Sequence, residues 1–201
     1  MLPNTEADDS CLKRGSFLFC SCVCTDLKEQ NDRLSGSPLG ENAPDIVTAV
    51  VETARRRITK YDRSSQTFHP IKPVHFPVHY PGNYGFITQT AGVSGDPLDI
   101  LMLGDDSALP GCVCRVRPIG LLEILDHGVQ YERILACVTA NPRFGLLRNY
   151  TDVQANLLRE IEHILSLYRI PKGRRAKVLG WKDRRFAHES IRASHARFVA
   201  G

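Results

Sequence analysis

The segment Ser94-Gly95-Asp96-Pro97-Leu98-Asp99-Ile100-Leu101 constrains this chain more than any other. A Gly-Asp-Pro corner sets the direction of the backbone, because glycine tolerates unusual φ while proline locks φ and forbids helix. The apolar run over residues 98–103 follows at once and reads as a buried strand. Asp96 and Asp99 lie three apart across the corner. They therefore escape the strict alternation of faces inside one strand and can converge on one cation or one substrate. Hard oxygen ligands of this kind suit magnesium or manganese rather than zinc.

Similar punctuation recurs along the chain. Residues 46–51 form a β-branched apolar run, a strand by length and composition. Residues 58–62 and 67–71 read as a hairpin turned at Asp62-Arg63-Ser64-Ser65. Pro70, Pro73, Pro77 and Pro81 then forbid long regular structure and predict an extended, rigid loop over 72–86. Residues 112–117 alternate and 119–125 continue as a second strand. Asp126-His127-Gly128 marks a turn into a returning strand over 131–138. Many short strands with Pro and Gly turns favour a small barrel over a sandwich or a parallel sheet. Helices come late. Thr151 with Gln154 reads as a capping box, and Val153, Leu157, Ile161, Ile164 and Tyr168 give one apolar face to a helix over 151–169. A second, more polar helix is predicted over 183–199, with Phe186, Ile191 and Phe198 as its contacts. The fold class is mainly β with flanking α (α+β): a small β-barrel with two C-terminal helices.

The 201 residues suit one domain with a tail. Residues 1–44 mix charge, Gly, Ser, Pro and Cys without a period and read as a disordered N-terminal tail, so the domain is expected over 45–201. The formal charge of +4 is mild, and Arg55-Arg56-Arg57, Lys172 with Arg174-Arg175, and Arg184-Arg185 read as solvated faces. Seven cysteines, an odd number without a regular framework, argue for a reducing compartment. Cys20-x-Cys22-x-Cys24 lacks the CxxC pairs of a zinc site. No apolar run is long enough to cross a membrane, and residues 16–23 make a poor signal peptide. A cytoplasmic protein without a membrane partner is the expectation.

A barrel with acids at strand ends can gather groups distant in sequence. Glu52, Asp62, Asp96, Asp99, Asp126 and Glu132 are the oxygen candidates. Lys60, Lys72, Arg133 and Arg169 are the cationic ones, and Tyr80, Tyr84 and Tyr168 offer hydroxyls. Acids bind magnesium, magnesium binds phosphate oxygens, and cations with phenols hold the remaining phosphate charge. That grouping suits metal-assisted phosphoryl transfer to water. Singly, each has a structural alternative: a strand-end Asp126 as a turn residue, Tyr80 and Tyr84 as two rings packed in a loop.

Order and spacing carry more. Lys60-Tyr61-Asp62, Tyr80-Pro81-Gly82-Asn83-Tyr84-Gly85-Phe86, Gly95-Asp96-Pro97-Leu98-Asp99, Arg117-Pro118-Ile119-Gly120, Tyr168-Arg169 and Gly180-Trp181 together resemble the soluble inorganic pyrophosphatases of the OB-barrel type. The resemblance runs from about Asp45 to Phe198. It implies an OB-like barrel, hydrolysis of inorganic pyrophosphate, magnesium or manganese as cofactor, and a homo-oligomer. It implies Asp96 as the acid beside the attacking water, with Tyr84 near the reacting centre. Asp99 and Asp126, with Asp96, Glu52 and Asp62, are implied as metal carboxylates. Lys60, Lys72, Arg133, Tyr168 and Arg169 are implied as phosphate contacts. Asp62 stands where the family has Glu, Lys72 where it has Arg, and Arg133 and Arg169 where it has Lys; Arg and Lys differ in reach and fork geometry.

Two departures change charge. Ser94 stands where the family motif begins with Asp, and Tyr131 where the family has a further metal Asp. Loss of two carboxylates is expected to cost roughly 3 kcal/mol, about two decades in metal affinity. Glu132 points to the opposite face from Tyr131 by strand period, and Asp105 and Asp106 are the remaining nearby acids. The departures motivate an alternative, a catalytically impaired relative that binds phosphate or a protein partner. A nucleic-acid-binding barrel is a third reading; it lacks stacking aromatics on its strands, so no nucleic-acid partner is expected.

Overall fold

The computed structural model describes residues 37–55, 80–166 and 176–201 in full, and the backbone alone at 59–62, 67–70 and 167. The strands are β1 (Val47–Thr53), β2 (Thr59–Asp62), β3 (Thr67–Pro70), β4 (Asn83–Ile87), β5 (Asp99–Leu103), β6 (Val113–Asp126), β7 (Val129–Val138) and β8 (Lys177–Lys182). A 3-10 turn at Tyr150–Asp152 precedes helix α1 (Ala155–Leu167), and helix α2 (Arg184–Ala200) ends the chain.

The neighbours run β1-β4-β5-β7-β6, and β6 also pairs with β1, so five strands close into a ring. Only β5 and β7 are parallel within it. This is the connectivity of an OB-like barrel. β6 is long enough to serve two neighbours on one edge. Val113–Val116 meet β1, and Leu121–Leu125 meet β8. β2 and β3 form a separate hairpin, as expected, with Asp62 opposite Thr67.

Alternation along the ring strands divides the apolar residues in two. Val47, Ala49, Ile87, Ile100, Ile134 and Ala136 point into one cluster, which α2 joins through Ala187 and Ile191. Leu101, Leu122, Ile124 and Leu135 point to the other face, where Ile161, Ile164 and Leu165 of α1 cover them. The close crossing of β4 on β1 needs Gly85: a Cβ there would lie 1.8 Å from the Val50 carbonyl oxygen.

Several expectations need correction. The run 112–125 is one strand rather than two, with Pro118 accommodated at an irregularity between Pro118 and Gly120. The loop predicted over 72–86 gives way to β4 at Asn83, because no proline follows Pro81 until the corner at Pro97. The capping box belongs to Asn149 and Asp152, not to Thr151 and Gln154. It caps the 3-10 turn, and α1 starts later. Phe186 and Phe198 are largely exposed, while Ala187, Ser190, Ile191 and Ser194 are the buried face of α2. Strand β8 was not foreseen. Packing also begins before Asp45: Leu39 is buried in the first cluster, and its carbonyl accepts from Thr48 N at 2.7 Å.

Candidate active site

Register brings the chemistry together. Ile100 lies opposite Ile134 across the parallel β5–β7 pair, which sets Asp99 and Arg133 side by side one residue earlier on each strand. Phe86 opposite Asp99 and Tyr84 opposite Leu101 put Tyr84 on the same face as Asp99. Ile124 opposite Tyr131 and Leu122 opposite Arg133 bring in β6, which carries Asp126 two residues further. A hollow of about 30 Å³ results, lined by Tyr80, Tyr84, Asp126, Tyr131 and Arg133, with Leu165 of α1 against it. A larger hollow, about 480 Å³, lies between the 38–44 segment and α2, away from these residues, with Glu41, Arg192 and His195 in its lining.

The central contact is an ion pair. Arg133 Nη1 lies 2.7 Å from Asp99 Oδ2. Burial works against the guanidinium's charge, but Tyr84 and Asp99 more than offset it, and Arg133 is held above its ordinary value. Burial first, and then the Asp99 charge, push the Tyr84 phenol well above 10.0, so its hydroxyl stays protonated and hydrogen-bonds to Asp99. The Tyr80 and Tyr84 rings stack at 5.1 Å. The Tyr131 ring lies 5.5 Å from the Arg133 guanidinium carbon.

The other expected residues fall elsewhere. Asp96 is exposed on the corner, where Gly95 adopts φ 85, and its Oδ2 accepts from Ser94 Oγ at 3.2 Å. Asp126 is 8 % exposed, with His127 Nε2 3.5 Å from its Oδ1. Glu52 is buried beside the β1 irregularity, next to Thr53, which stands opposite Tyr84. Glu132 faces α2 and accepts from Ser190 Oγ, so it does not replace an acid at 131. Asp105 is paired with Arg143 at 3.3 Å. The side chains of Lys60, Asp62, Lys72, Tyr168 and Arg169 lie outside the described residues.

Some motif residues prove to be structural. Asn83 Oδ1 accepts from Arg55 N (2.9 Å) and Ala108 N (3.2 Å), while its Nδ2 donates to the Asp106 carbonyl at 3.1 Å, which ties β4 to the loop after β5. Trp181 Nε1 donates to Glu162 Oε1 at 2.6 Å and holds β8 to α1, the helix that covers the hollow. A buried polar Asn beside a tyrosine and a lone Trp late in the chain were the available signals for both roles.

A divalent ion needs several oxygens at once. Among the described residues, no three His, Cys, Asp or Glu side chains gather closely enough to hold one. The carboxylates have the right hardness, but Asp99 is engaged by a guanidinium and a phenol while Asp96 turns to Ser94. In this arrangement the described residues do not fit a bound divalent ion. No helix among them is long and apolar enough to cross a membrane.

Comparison with known proteins gives a consistent result. A family model described as inorganic pyrophosphatase matches residues 49–199. An inorganic pyrophosphatase of Thermus thermophilus is 35% identical over 173 residues, 82% of this chain and 97% of that protein. One of Haloferax volcanii is 34% identical over 155 residues, covering 76% and 88%. Among solved structures, an inorganic pyrophosphatase from Thermus thermophilus superposes with a TM-score of 0.75 at 35% identity, covering 81% of this chain and 96% of that one. An inorganic phosphatase from Anaplasma phagocytophilum superposes with a TM-score of 0.73 at 30% identity, covering 80% and 98%.

Proposed function

Because the chain belongs to the inorganic pyrophosphatase family, we propose that it hydrolyses inorganic pyrophosphate to two phosphates. The match over 49–199 carries the reading, since that span takes in the ring strands from within β1 onward and the two helices that pack on them. The chemistry of the hollow supports it. Arg133 is a permanent cation with a planar fork suited to phosphate oxygens, and Tyr84 keeps its proton as a donor.

The reaction adds water across the phosphoanhydride. A P–O bond forms to the water oxygen, the bridging P–O bond breaks, and the leaving phosphate departs with the electron pair. Asp96, exposed on the corner before β5, is assigned to orient that water and take its proton. Arg133, with Lys60, Lys72, Tyr168 and Arg169, is assigned to hold the two phosphates and stabilise the departing one; Tyr84 is assigned beside the reacting centre. A thiol nucleophile is disfavoured, since Cys114 and Cys137 are buried and burial pushes the Cys137 thiol up to about 12.

Family membership brings dependence on a divalent ion, and magnesium, with manganese second, is the ion we assign. Glu52, Asp62, Asp96, Asp99 and Asp126 are the carboxylates assigned to it, with Asp99 committed to Arg133 in the arrangement described. A cytoplasmic location and a homo-oligomer belong to the same proposal; the free thiols at Cys112, Cys114 and Cys137 support a reducing compartment. The test is phosphate release from pyrophosphate across magnesium and manganese concentrations. Two phosphates per diphosphate are expected, and no release at any metal concentration overturns the reading.

A further inference from the structure

Arg133 meets Asp99 as a bound cation would. Its Nη1 contacts the carboxylate at 2.7 Å, with the two side chains only 19% and 30% exposed, so little water separates the charges. The same Nη1 donates to the Glu132 carbonyl at 3.2 Å, which fixes the guanidinium from the backbone side. The Tyr131 ring lies 5.5 Å from its carbon, inside cation–π range. Asp99 also accepts a hydrogen bond from Tyr84. The carboxylate thus already has a cation and a hydroxyl on it. The guanidinium also lines the adjoining hollow of about 30 Å³, which holds about a water or two.

We propose that Arg133 is a built-in counter-ion that closes the divalent-cation position at Asp99, with Tyr131 as the positioning residue that keeps the guanidinium there. An ion reaching Asp99 must first move Arg133 off the carboxylate and away from the Tyr131 ring. It also meets a like charge until that happens. Metal uptake at Asp99 is therefore a competition between two cations for one acid.

The proposal stands apart from hydrolysis, because its test reads metal alone. Manganese(II) is titrated into the full chain without any phosphate, and the free ion is followed by its paramagnetic resonance signal. Arg133→Gln removes the charge and leaves a shorter polar amide. It is expected to bind manganese about tenfold or more tightly than the parent, the scale of a displaced charge-assisted hydrogen bond. Adding Asp99→Asn is expected to abolish that gain. Tyr131→Ala is expected to give a smaller gain by loosening the guanidinium. Arg143→Gln, which removes the same charge from the pair with Asp105, is expected to change nothing. Equal or weaker binding by Arg133→Gln overturns the proposal, and so does a gain that survives Asp99→Asn or appears equally with Arg143→Gln. Should Arg133→Gln fail to fold, Arg133→Lys is read instead. Its point charge cannot fork between Asp99 and the ring, so a gain of about threefold is expected and its absence overturns the proposal.

Discussion

Replacing Asp99 by Asn isolates what the ion pair contributes to the barrel. The amide matches the carboxylate in size, and its oxygen still accepts from Tyr84, so packing is kept and only the charge goes. Arg133 is then left with a phenol, an aromatic ring and a backbone carbonyl as company. Breaking one side of a fully buried pair costs about 3–5 kcal/mol. Exposed pairs contribute less than about 1 kcal/mol. Side-chain exposures of 19% and 30% place this pair between the limits and nearer the buried one. Discounting for the water that reaches both groups leaves an expected loss of about 2 kcal/mol. Urea denaturation followed by the fluorescence of Trp181, the one tryptophan, reads it directly. That ring stacks on Tyr150 at 5.8 Å and is bonded to α1, so its emission reports on barrel and helix together. The parent's midpoint should change little with added salt, since a desolvated pair is weakly screened. A loss below about 0.5 kcal/mol, the range of ordinary surface substitutions, would refute the argument and make the pair a hydrated surface contact.

Gly85→Ala places a methyl 1.8 Å from a backbone oxygen of β1, where no side chain can yield. A loss of about 3 kcal/mol or more is expected in thermal or chemical unfolding, and near-parental stability would mean that β4 does not cross β1 as described. Alkaline stability should fall through Cys137. Burial raises its thiol from 9.0 to about 12, so between those values the unfolded chain binds fewer protons than the native one and stability drops as pH rises. The unfolding midpoint of Cys137→Ala should decline less steeply than the parent's between about pH 9 and pH 11, and parallel slopes would dismiss the thiol as the cause.

Strands were legible where composition and punctuation agree. The corner at Gly95-Asp96-Pro97 does open a buried strand, and 131–138 does return antiparallel to the preceding run. β8 escaped notice because its residues are half-buried, Gly180 interrupts it, and its reason to exist lies elsewhere. The second half of β6 needs a partner once β1 has left it. In α2, large apolar residues looked like the contacts. The helix buries Ile191 as expected, but its other buried residues are the small Ala187, Ser190 and Ser194, and Phe186 lies under the charges of Lys182 and Arg185 at 5.6 and 5.2 Å. At the site, spacing brought Asp96 and Asp99 into view but not their partners. Arg133 meets Asp99 only through the parallel register of β5 and β7, a long-range pairing that no local pattern encodes.

The two departures from the family pattern act together with Arg133 rather than as separate losses. A carboxylate at 131 would lie beside the guanidinium and draw it from Asp99. The ring there removes that competitor and supplies a face that favours the cation. A carboxylate at 94 would repel Asp96 across the corner, whereas the Ser94 hydroxyl donates to it. At 131 the ring meets the guanidinium that pairs with Asp99, and at 94 the hydroxyl meets Asp96 directly. Asp99 and Asp96 are thus each met by a partner from within the chain, Arg133 with Tyr84 at the first and Ser94 at the second. On the proposal above, a divalent ion competes with Arg133 for Asp99.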